Sequence, residues 1–158
     1  MTPSLIRSLV ENDKADEFVR CAALKTLLTQ MVLREITRDE VVAYYQSLFR
    51  EGLERKASPV WDDLVWYSTD IYPAEVIEDI RLAYKDGLID TTWISLDEVE
   101  ETLESDKESV LNKLYSDSRY RFIENLFEDI NWWSYFTHSK QSEDAVAKQY
   151  EPAAFFND

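Results

Sequence analysis

Apolar residues recur along this chain at steps of three and four, the spacing of helices with one buried face. Phe18, Ala22, Leu27 or Leu28, Met31 and Val32 predict a helix over residues 14–35, with Asp16 and Glu17 at its positive end. Thr37 with Glu40 forms a capping box for a second helix, in which Val41, Tyr45, Leu48 and Phe49 make the stripe. Gly52 is placed to end that helix in a left-handed conformation, although the charged residues 54–56 could equally extend it. Ser58-Pro59 starts a third helix, with serine as cap and proline where its missing amide hydrogen costs nothing. From it Trp61, Leu64, Val65, Ser68 and Ile71 point inward.

Pro73 repeats the device, opening a helix whose Val76, Ile77, Ile80 and Tyr84 face the core and which Gly87 ends. Ser95 with Glu98 and Ser105 with Glu108 are further capping boxes, predicting short helices over residues 96–104 and 106–115. The last helix is expected over residues 119–136, on a wide face of Phe122, Ile123, Leu126, Phe127, Ile130 and Trp133. Beyond His138 the periodicity fails. Residues 1–138 are therefore one helical-repeat domain, and 139–158 a flexible C-terminal tail able to dock Tyr150, Phe155 and Phe156 locally.

A repeat underlies this order. Residues 37–42 align with 72–77, and the same offset of 35 residues carries Phe49 onto Tyr84, Gly52-Leu53 onto Gly87-Leu88, Trp61 onto Leu96 and Leu64 onto Val99. A fixed period of this length, with two helices per unit, marks arrays whose single units cannot bury their apolar faces. The fold class expected is all-α, a HEAT-like α-α superhelix of stacked antiparallel helix pairs.

Composition agrees. Two glycines and four prolines in 158 residues leave little for tight turns. The formal charge of −15 makes attraction to a phosphate backbone or an anionic membrane unfavourable, so neither nucleic acid nor membrane is expected as a partner. No apolar run is long enough to span a bilayer, and Arg7, Glu11 and Asp13 interrupt the N-terminal stretch, which points to a cytoplasmic protein. Cys21, the single cysteine, stands among small apolar neighbours and is expected to be a buried, unreactive thiol.

The segment 16–24, with its acidic start, Val19-Arg20 and small residues, is similar to the second-helix pattern of HEAT-type repeats. More narrowly, the chain resembles a bacterial family catalogued as domain of unknown function 1186, on residues 2–6, 16–24, 38–45, 50–55 and 94–100. That resemblance covers the first two thirds and implies a HEAT-like helical fold, with no catalytic residues to carry over. At both ends the chain departs from the family. It is expected to lack an N-terminal portion of the family, which would leave residues 3–10 as half of a helical pair, and the resemblance finds no match for its aromatic C-terminal third.

The chemistry on offer is that of a surface. His138, the only histidine, follows the last helix and gives no triad, no cofactor loop can be built from two isolated glycines, and there is no Cys/His cluster for zinc. No catalytic, cofactor or metal residue is assigned, and the chain is expected not to be an enzyme. Aromatic residues are the informative excess. Trp66 falls with Asp62 and Asp70 on a different face from Trp61, and Trp66 and Tyr67 are expected to be exposed. Trp132, Trp133, Tyr135 and Phe136 crowd the last helix, where not all can face one core.

Exposed aromatics beside carboxylates suit a protein-binding face. The leading expectation is a non-enzymatic interaction module that meets a basic protein or peptide through Asp62, Trp66, Tyr67 and Asp70, with Trp132 and Tyr135 as a second patch. The alternatives are an inhibitor or immunity-type protein, including a mimic of nucleic-acid charge, and a hydrolase with a carboxylate-lined or metal-assisted site. Self-association through an apolar solenoid end is a further expectation.

Overall fold

The computed structural model describes residues 2–120, which fold into helices with no strand among them. The helices are α1 (Pro3–Glu11), α2 (Glu17–Val32), α3 (Arg38–Ser47), α4 (Pro59–Asp70), α5 (Ile77–Lys85), α6 (Leu96–Glu104) and α7 (Lys107–Ser116). A π-helical turn, Leu48–Gly52, prolongs α3, and a 3₁₀ turn, Ser118–Tyr120, follows α7. The 3₁₀ turn stands where the last predicted helix was to begin. The rest of that helix and the tail lie outside the described residues.

Local chemistry sets most of the boundaries. Thr37 accepts from the Glu40 amide while the Glu40 carboxylate accepts from the Thr37 amide at 2.8 Å, and Ser95 with Glu98 reproduces the arrangement at the start of α6. The predicted stripes on α3 and α4 are buried in full, from Val41, Tyr45, Leu48 and Phe49 to Trp61, Leu64, Val65, Ser68 and Ile71.

Four expectations need correction. Helix α5 begins at Ile77, four residues after Pro73, because Tyr72 occupies the place of Thr37 and has no short side-chain oxygen to cap with. Tyr72 instead takes a left-handed conformation with φ 70°, and residues 73–76 make a turn closed by the Val76 amide on the Pro73 carbonyl. Ser105 closes α6 rather than opening α7, and Asp106 caps α7 by accepting from the Ser109 amide at 2.9 Å. Gly52 is not left-handed, unlike Gly87 with φ +69°; a Cβ at Gly52 would stand 2.7 Å from Leu48 Cδ2. Helix α2 is shorter than residues 14–35 and is rotated from the predicted stripe. Phe18 and Ala22 face solvent, while Arg20, Cys21, Ala23 and Leu24 face inward with Leu27, Leu28 and Met31.

The 35-residue spacing extends to α1 in the burial pattern. Ile6, Val41 and Val76 are all buried at that interval, and so are Val10, Tyr45 and Ile80 one turn later. Arginines join segments across a similar separation in sequence. Arg20, 2% exposed, donates from Nε to the Val10 carbonyl at 2.8 Å and from its two terminal nitrogens to Glu54 at 2.6 and 3.0 Å. Arg38 donates to the carbonyls of Ile71 and Tyr72, both at 2.7 Å, and forks onto the Glu75 carboxylate. Arg50 pairs with Asp79, and Arg55 with Asp86.

A candidate interaction groove

One face of α4 carries Pro59, Asp62, Asp63 and Trp66 at helical spacing, and the first turn of α2 brings Phe18 and Cys21 against it. The loop between α5 and α6 supplies Trp93. Its position follows from Asp90, whose amide donates to Asp62 Oδ1 at 2.8 Å and whose own carboxylate accepts from the amide and hydroxyl of Thr92 at 2.9 and 2.7 Å. The Trp93 amide then donates to the Asp90 carbonyl at 3.1 Å. Together these residues line a groove of about 300 Å³.

Its lining is mainly apolar, with Asp62 and Asp63 among exposed aromatics. Phe18 is 73% exposed, Trp93 70% and Trp66 37%, unusual values for side chains of this size. Partial burial pushes the Asp62 and Asp63 carboxyls above the usual carboxylate range, against hydrogen bonds that pull the other way. Among the described residues neither forms an ion pair. Lys25 lowers the Asp63 carboxyl from a distance and lines a neighbouring recess of about 230 Å³. The Cys21 thiol is pushed up to about 12, first by burial and then by Asp63, so it rests protonated.

The predicted site residues divide. Asp62 and Trp66 meet in the groove. Tyr67, expected to be exposed, is 9% exposed, because it stands about 100° around α4 from Trp66 and turns inward. Its hydroxyl reaches Asp63 Oδ2 at a long 3.5 Å. Asp70 lies a turn further on, where burial raises its carboxyl and Tyr120 donates to it at 2.9 Å. It faces a separate recess of about 420 Å³ that Trp66 also borders and that holds Lys113, Asp117 and Arg119. Trp132 and Tyr135 lie outside the described residues, as does His138.

Phe18 and Trp93 are the site residues that sequence reasoning missed. Phe18 directly follows the acidic pair that starts α2, a position more open than the middle of the helix. Trp93 precedes the Ser95 cap, in a loop where no helical stripe could hold it. Among the described residues no group of three or more His, Cys, Asp or Glu is arranged to hold a metal ion, and no helix is long and apolar enough to cross a membrane.

Among the described residues the protein is all-helical, with arginines tying helices distant in sequence and a groove lined by Phe18, Trp66, Trp93, Asp62 and Asp63. The chain belongs to the family described as protein of unknown function (DUF1186), whose model matches residues 3–137. The match therefore takes in Trp132, Trp133, Tyr135 and Phe136, beyond the two thirds that the motifs alone suggested. The chain is 29% identical over 131 residues to an uncharacterised protein of Chlamydia muridarum, covering 82% of this chain and 52% of that protein. It is 30% identical over 131 residues to one of Chlamydia trachomatis serovar D, covering 82% and 51%. The chain thus spans about half the length of the curated relatives it matches. No solved structure matches it.

Proposed function

We propose that this chain is a non-enzymatic interaction module, a HEAT-like superhelical frame that presents its acidic aromatic groove to a basic protein or peptide. The observation that carries the proposal is the convergence of Phe18, Trp66 and Trp93 on Asp62 and Asp63, from two helices and a loop. Aromatic side chains supply the large contact area at protein interfaces, and carboxylates without an internal ion pair select and steer a cationic partner. The recurrence of buried positions every 35 residues supports the superhelical frame.

Calorimetric titration of the whole chain with a basic polypeptide at low and high salt tests the reading. Binding weakens as salt rises, and Trp66→Ala lowers affinity by about tenfold with an unchanged melting temperature. Salt-independent binding, or full affinity in the folded variant, rejects this face as the site.

A further inference from the structure

We propose that the groove receives one arginine side chain of the partner, its guanidinium stacked on the indoles of Trp66 or Trp93 and its edge donating to Asp62 and Asp63. This inference rests on the groove being the site for a basic partner and names the group that enters it.

The donor count favours it. Among the described residues, Asp62 Oδ1 accepts from the Asp90 amide and Oδ2 has no donor, and Asp63 receives only the long contact from Tyr67 together with the weak Cys21 thiol donor. Two adjacent carboxylates with spare acceptor positions call for a group with several donors in a fixed fork. Aromatic walls call for a flat, weakly hydrated cation, and guanidinium meets both needs at once. A lysine ammonium is a compact, strongly hydrated charge with no planar face to lay on an indole.

The molecule already builds this combination from its own residues. Arg55 lies 5.2 Å from the Trp61 ring centroid while pairing with Asp86. Other cations cover rings elsewhere: Arg7 over Tyr44, Arg34 over Tyr115, Arg119 over Tyr120 and Lys107 over Tyr72. Among the described residues, the three groove aromatics have no such cover. Among the described residues, Lys25 acts on Asp63 without pairing with it, and Arg119, which borders the same neighbouring recess, is engaged by Asp117.

The test uses the full chain and a neutral peptide with one central arginine, against versions carrying lysine or uncharged citrulline there. Indole N–H signals of Trp66 and Trp93 are followed by NMR, with Trp93→Ala, a change at an exposed loop residue, identifying one of them. The arginine peptide shifts both signals and binds about tenfold more tightly than the lysine peptide, while citrulline leaves them in place. Asp63→Asn, which keeps an acceptor, reduces the arginine affinity about tenfold without losing the folded spectrum. Equal affinity for lysine and arginine overturns the arginine assignment and leaves the basic-partner reading standing. Unmoved indole signals with every peptide overturn both.

Discussion

Arg20 carries an unusual share of this fold for one charged side chain. Its guanidinium is buried and shared between the Val10 carbonyl and the Glu54 carboxylate, so truncation leaves two acceptors without a donor as well as a void. Arg20→Ala is expected to cost about 2 kcal/mol in urea denaturation, less than the loss of one member of a fully buried pair because the Glu54 carboxylate is partly open to water. Loss of less than about 1 kcal/mol would mean that solvent replaces these bonds freely. The sequence placed Arg20 within a repeat-like pattern, yet nothing in it said that the side chain is buried. The same limit explains Tyr67 and Phe18. A stripe drawn through a helix fixes its inward direction only to within a neighbouring residue, and at the first turn of α2 the stripe fell on the wrong side.

At the scale of elements, boundaries were legible where one short polar side chain sufficed to make them. Thr37 and Ser95 cap as their spacing predicts, whereas the start of α5 depends on Tyr72 and on Arg38, which arrives from α3. Thr37→Ala should therefore lower stability by about 1 kcal/mol, and Ser58→Ala by only a few tenths, since the Ser58 side chain makes no capping bond. Equal losses in thermal melts would show that the caps do not set these starts. Gly87→Ala should cost about 1 kcal/mol through its left-handed backbone alone, because a Cβ there meets nothing within 4 Å. The acidic aromatic groove was half legible for a related reason. Asp62 and Trp66 share a helix face, but the loop that adds Trp93 is fixed by the Asp90 amide on Asp62, a contact between segments far apart in sequence.

For the molecule as a whole, charge decides how it responds to its medium. Glu75, held by Arg38, has its carboxyl lowered from 4.5 to about 2. A carboxyl lowered by folding stabilises the folded state above its unfolded value, and that contribution is lost as pH falls between the two. The pair is partly open to solvent, so the loss is about 1 kcal/mol. Asp62, Asp63 and Asp70 act in the opposite sense, since burial raises their carboxyls and acid relieves the cost of keeping them ionised. Glu75→Gln should therefore flatten the fall in melting temperature from pH 4.5 to 2, and an unchanged slope would place the acid sensitivity elsewhere. The helical class and the 35-residue interval were visible in the sequence, because both rest on local periodicity. The arginine contacts between distant segments were not, since they depend on which helices become neighbours. Those contacts also bear on synthesis. Arg20 must wait for Glu54, and Arg38 for Glu75, so α2 and α3 emerging from a ribosome each stay incompletely fastened until the segment carrying the glutamate has followed. These two ties can therefore close only in order along the chain, the one at Arg20 before the one at Arg38.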